Sequence, residues 1–332
     1  MPPDRTLAML SDNLTNAATA LYLFAALAFA AVFAYRRGPS PADEPARVLT
    51  AVGAGRTPDA PTPPPPADTP HPSGLLTSGT LSRYALGLGG LGWLVQLAAL
   101  ATRGLAADRV PWADMYEFVC AAVFATVTVL LVLCTRYRAS YLGVFVMFPA
   151  VLAMGVATTA LYTPVSPLQP SLRSSWLAIH VLAAVVASGG FTVATALAAL
   201  HLRQTGRRHR APAAPASPRT ALPLAPRLPS PETLERLTRQ TITFAFPIWT
   251  FAIIAGAIWA DSAWGRYWGW DPKETWAFIT WIAYAAYLHA QATAGWRGRR
   301  AAVIAITGFA CLLFNLVGIN LWGSGLHSYA GL

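Results

Sequence analysis

Charge is scarce in this chain: Asp, Glu, Lys and Arg together make up 11% of its 332 residues, against 55% hydrophobic. So apolar a composition exceeds what one soluble core can use, and the hydrophobic runs recur at lengths of roughly 20 residues, which excludes a single soluble domain and indicates a polytopic membrane protein. Cysteine is scarce too. Cys120 and Cys134 lie 14 residues apart on one apolar run, about 21 Å along a helix and far beyond disulfide reach. Cys311 stands alone on another run, so all three read as small apolar fillers. No C-x-x-C occurs, which excludes both a dithiol oxidoreductase motif and a C-x-x-C-H attachment site within the chain. Internal repeats are absent, and Lys273 is the only lysine.

What is present is a series of eight apolar runs, at about 17–35, 84–101, 116–134, 140–161, 176–201, 242–260, 275–295 and 301–322. The expected fold is therefore an all-α polytopic membrane protein of about eight transmembrane helices. The chain divides into a first transmembrane helix (1–37), a proline-rich cytoplasmic linker (38–80), helices two to five (81–202), a basic Pro/Ala/Arg-rich cytoplasmic linker (203–240), and helices six to eight (241–332). Too little apolar surface is present in either linker to fold alone, and the first contains four consecutive prolines from Pro63 to Pro66. The connections after runs one, three, five and seven hold 18 of the 24 basic residues. By the positive-inside bias those loops are cytoplasmic and both termini are external. The net charge of +10 is thus accounted for by topology, with no nucleic acid as partner. Arg36 and Arg37 follow the first run rather than precede it, which suits an uncleaved helix over a signal peptide.

On the external side, the loop 261–276 carries Trp-Gly-Arg-Tyr-Trp-Gly-Trp-Asp-Pro-Lys-Glu from Trp264 to Glu274. Its rings offer flat apolar faces, and Gly265 and Gly269 let the backbone come close to whatever lies on them. Asp271 and Glu274 have the spacing of a capping box with proline at the first helical position, and Asp114 with Glu117 repeats the arrangement. Capping does not explain the density of rings. His71 and His209 fall in the linkers, and His201 at the cytoplasmic end of run five. His180 and His327 both reach the level of the Trp-rich loop, where two imidazoles can supply the axial ligands of a haem iron while aromatic rings cover the macrocycle. Arg173, Arg266 and Lys273 are candidate partners for its propionates. His289 lies 15 residues past Glu274, about 22 Å deeper, and an ionisable group at such depth points to function, with no clear second ligand in this chain.

The Trp-rich run, together with Ser175 to His180, Asp114 to Phe118, Trp281 to His289 and Gly325 to Tyr329, resembles the CcsA (ResC) family of System II cytochrome c maturation, also called CcsB in some bacteria. The resemblance covers most of residues 84–332. It implies a multi-pass protein of the bacterial plasma membrane that handles haem b, as substrate or cofactor, on the external face. It further implies that His180 and His327 ligate that haem externally, with Trp264, Trp268, Trp270, Asp271 and Trp276 around it. His289 would be an intramembrane ligand whose counterpart comes from a ResB/Ccs1-type membrane subunit. The implied activity is that of a holocytochrome c synthase, joining haem vinyl groups to the C-x-x-C-H thiols of apocytochrome c. Open alternatives are a haem loader resembling CcmC-type proteins, a quinone-binding respiratory subunit and a non-catalytic assembly factor. Asp114, where the family pattern leads one to expect Asn, is a departure that either residue's capping ability makes minor.

Overall fold

The structure, a computed structural model, describes residues 3–35, 78–166, 173–210, 228–322 and 325–326. Regular structure among these residues is entirely helical, as membrane-spanning segments must be when each backbone group finds its partner within its own segment. The helices are α1 (Arg5–Tyr35), α2 (Ser78–Ala107), α3 (Met115–Tyr137), α4 (Gly143–Ala160), α5 (Ser175–Arg210), α6 (Pro231–Trp264), α7 (Pro272–Ala292) and α8 (Arg299–Leu313). A π-helical turn, Phe314–Gly318, carries α8 into a last turn, Ile319–Trp322.

Among the described residues seven helices are long and apolar enough to cross a membrane. The remaining long helix, α7, carries His, Gln, Thr and several Trp and Tyr residues that lower its hydropathy. It is nonetheless bonded to its neighbour α6 toward both of its ends. Near the Trp-rich loop, the Trp249 indole donates to the Ala277 carbonyl at 3.3 Å and the Trp281 indole donates to Thr250 Oγ1 at 2.9 Å. At the far end Glu235 Oε1, in the first turns of α6, accepts from Gly298 N at 2.8 Å and from Gln291 Nε2 at 3.4 Å. The interior face of α7 is polar because it bonds to a neighbouring helix.

Several helices extend beyond their apolar runs. α6 starts at Pro231 rather than near 242, with Ser230 as N-cap, proline in the first turn, and Leu234 and Leu237 fully buried. α5 continues to Arg210, so the basic connection is helical at both margins. Its middle, 211–227, and residues 36–77 of the first helix end and proline-rich linker lie outside the described residues.

The described helices form two four-helix halves. In α1–α4 the core is built on Tyr22, Phe29, Tyr116, Leu130 and Met147; in α5–α8 it is built on Phe191, Trp249, Tyr284 and Tyr287, with Phe191 stacked on Tyr284 at 3.7 Å. The halves join mainly through α3 and α5. A Cβ on Gly189 would come within 2.7 Å of the Ala125 backbone carbon and 2.8 Å of Thr126 N, so the two backbones meet there as small residues allow between membrane helices. Asp4 N donates to Ala106 O at 3.1 Å, and Leu326 N donates to Asp271 Oδ2 at 2.8 Å. Both described ends thus sit at the end of the bundle that carries the Trp-rich loop.

Candidate functional site

The loop is built by two helix caps. α6 stops at Gly265, whose φ of 70° and N–H bonded to Asp261 O make a left-handed C-cap. α7 starts with the capping box read from the sequence: Asp271 Oδ1 accepts from Lys273 N at 3.0 Å, and Glu274 Oε2 accepts from Asp271 N at 3.1 Å and Gly269 N at 2.8 Å. Asp271 has a second use. Its Oδ2 takes the Leu326 N–H, which ties the segment beyond α8 down onto the loop one residue before His327. His327 itself lies outside the described residues. Gly269 lies beneath the Arg266 guanidinium, so its lack of a side chain admits that cation. Trp270 adopts φ 59°, a rare conformation for a bulky residue that costs on the order of 1–3 kcal/mol and tends to persist at functional sites.

Below the loop, between the two halves, is an open-sided cavity with about 1180 Å³ between its walls, mouth included. Trp112, Trp249, Trp259, Trp264 and Trp268 line it, and His180 reaches it from α5. The Nδ1 of His180 lies 2.7 Å from the Ala252 carbonyl of α6. A carbonyl only accepts, so the hydrogen sits on Nδ1 and the lone pair on Nε2, the tautomer in which an imidazole ligates a metal. This geometry needs Gly256. A Cβ there would come within 2.6 Å of His180 Nδ1 and 2.8 Å of Cε1.

Of the residues singled out in the sequence, His180, Trp264 and Trp268 meet in this cavity, along with Lys273. Trp264 packs edge-on to Trp259 at 4.8 Å. Trp270 is 67% exposed and lies with Trp268 and Phe278 in a chain of edge-to-face rings. Trp276 packs on Phe314 of the π-turn at 4.3 Å between centroids. Arg173 is exposed. His289 is exposed in the last turn of α7, at the other end of the bundle, beside the helix-ending bond from Thr293 N to its carbonyl. His201 is buried there, its Nδ1 at 3.0 Å from Pro231 O.

The sequence did not disclose Gly256, nor that Trp112, Trp249 and Trp259 form walls. A signal for the α6 residues exists: Trp249, Ala252, Gly256 and Trp259 recur at helical spacing on one face. Also missed was an ion cluster beside the cavity. Asp114 does cap α3, accepting from Glu117 N at 2.8 Å. The Glu117 side chain instead goes to Arg103 Nε at 2.8 Å, Arg109 NH1 at 2.6 Å and the Ala113 N–H at 2.8 Å, with its carboxylate fully buried. Arg103 also donates to Thr163 O at 2.6 Å and pairs with Asp12 Oδ1 at 3.5 Å. Burial first, and the Glu117 charge second, push the Asp114 carboxyl up to about 6.

Comparison with known proteins places this arrangement. The "Cytochrome c biogenesis protein CcsA" of Synechococcus elongatus is 36% identical over 275 residues, 71% of this chain and 84% of the relative. That of Nostoc punctiforme is 34% identical over 314 residues, covering 74% and 89%. A solved structure titled "Cytochrome c Heme Lyase CcmF" aligns with 96% of this chain at a TM-score of 0.57, 21% identity and 47% coverage of the longer protein, a likeness of fold. Residues 112–327, which hold the cavity, the Trp-rich loop and all three singled-out histidines, match the family described as "Cytochrome C assembly protein"; this multi-pass membrane chain belongs to that family.

Proposed function

We propose that the chain is the haem-handling subunit of a System II cytochrome c synthase in the bacterial plasma membrane, with the Trp-rich loop and both termini on the external face. Haem b is the substrate it presents, and apocytochrome c the acceptor. The observation that carries this reading is His180, fixed by the Ala252 carbonyl and by Gly256 in a cavity walled by five tryptophans. An iron ligand of fixed tautomer, with flat apolar walls on either side, suits a macrocycle with a metal at its centre. The name its relatives carry, cytochrome c biogenesis protein CcsA, supports the same process.

In this reading the chain supplies position rather than a nucleophile. The Asp271 carboxylate holds Leu326 at the loop, and His327, the next residue in sequence, would be the second residue to hold the iron. The tryptophan walls keep water from the ring and orient it. The acceptor thiol adds across a haem vinyl group: an S–H bond breaks, an S–C bond forms, and the hydrogen ends on the adjoining vinyl carbon, so no oxidant is consumed. Holding both reactants replaces a bimolecular search with an intramolecular one. His289, exposed at the other end of the bundle, suits a ligand shared with a ResB/Ccs1-type subunit better than one completed within this chain.

The test is to reconstitute the chain with such a partner, haem and a C-x-x-C-H peptide under reducing conditions, and to weigh the peptide after denaturation. A peptide heavier by one haem, absent with H180A, is expected. Haem passed on without a covalent bond would replace the synthase reading with the loader reading.

A further inference from the structure

Buried polar atoms without a hydrogen-bond partner are costly, and each calls for a reason. Three of them belong to residues lining the cavity: Trp112 Nε1, Glu274 Oε1 and Asn315 Oδ1. Asn315 is the unexpected one. It is 6% exposed and sits within a membrane-spanning helix, where a polar side chain is expensive and usually functional. It also belongs to the π-helical turn Phe314–Gly318. Such a turn inserts a residue into the helix, rotates the face that follows, and is found mostly at functional sites. The turn is braced from above, because Asn320 Nδ2 donates to Leu316 O at 2.7 Å and contacts Met115 Sδ of α3 at 2.8 Å.

The contact of Phe314 with Trp276 puts the turn level with the start of α7, where Lys273 lines the same cavity. Three polar groups from three elements therefore border one space: the Trp112 indole N–H, the Lys273 ammonium and the Asn315 amide, whose unpartnered atom is its Oδ1. An asparagine amide presents NH2 in place of its oxygen by a half-turn about χ2. Two hydrogen-bond donors and a cation match a carboxylate. Glu274 Oε1 is an acceptor and does not join that set; its carboxylate is held in the α7 cap through Oε2.

We propose that Asn315 is a specificity residue of this cavity, hydrogen-bonding a propionate of the bound haem together with Trp112 and Lys273. This rests on the haem reading above, so its test separates the two. The chain, purified with its partner, is titrated with haem and with haem dimethyl ester, in which both propionates are capped. Wild type should bind haem more tightly than the ester. N315L should weaken haem by about 3- to 10-fold, the worth of one hydrogen bond, and leave the ester unchanged, which also shows the variant folded. N315D, with a like charge against the propionate, should weaken haem further and again spare the ester. If N315L keeps the full preference for haem, or loses both ligands equally, the assignment is wrong while the haem site stands. If wild type binds neither porphyrin, the haem reading itself fails.

Discussion

At the scale of single residues, the arrangement around His180 depends on an absence. Gly256 leaves the space that the imidazole fills, so G256A should push the ring off the Ala252 carbonyl. Overpacking of this kind costs about 1–3 kcal/mol, and haem affinity should fall roughly tenfold, about 1.4 kcal/mol, as read by titration with absorbance at the Soret band. Asp114 gives a pH-dependent prediction. With its carboxyl raised to about 6 in the fold from 3.8, the native state binds more protons across that window than the unfolded state does. Stability should therefore be highest below about 4 on this account and fall as pH rises to about 6. D114N should flatten that slope in thermal melts run across the window. His180, Trp264 and Trp268, which the structure brings to one cavity, could be singled out because their types are uncommon and their spacing distinctive. Gly256, Trp112 and Asn315 were not, since a residue that acts through the face it turns toward another helix shows nothing of that in its own neighbourhood.

At the scale of elements, caps and buried charges hold the site's margins. Asp271 starts α7 and tethers Leu326 with opposite oxygens. D271A removes both and should cost about 1–2 kcal/mol, visible as a lower melting temperature in detergent; D271N, which keeps an acceptor oxygen for the cap, should lose less. Glu117 satisfies two arginines at once in a fully buried position. E117A leaves both cations without it, and a loss of about 3–5 kcal/mol is expected, enough to lower the yield of folded protein measured by size exclusion. The apolar runs located the helices, yet they understated α5 and α6, which continue past their apolar stretches, α6 from the Ser230 N-cap with proline in its first turn. They also obscured why α7 is polar: its Trp281 and Gln291 side chains are hydrogen-bonded across to α6.

At the scale of the whole molecule, two four-helix halves meet along a joint of small residues, and the cavity lies where that joint reaches the Trp-rich loop. Eight long helices among the described residues, with both described ends at the loop side, are what the run count led one to expect, and the all-helical fold was legible for that reason. The convergence of Trp112 from one half with His180 and Trp259 from the other was not, because it depends on how the halves dock. In the proposed function, haem is held in this joint by His180. The most direct measurement is the reduced absorption spectrum of the chain purified with its partner, wild type beside H180A, with and without added imidazole. A low-spin component that H180A loses or converts to a five-coordinate form, and that imidazole restores, is expected; an H180A spectrum identical to wild type would rule out His180 as the ligand.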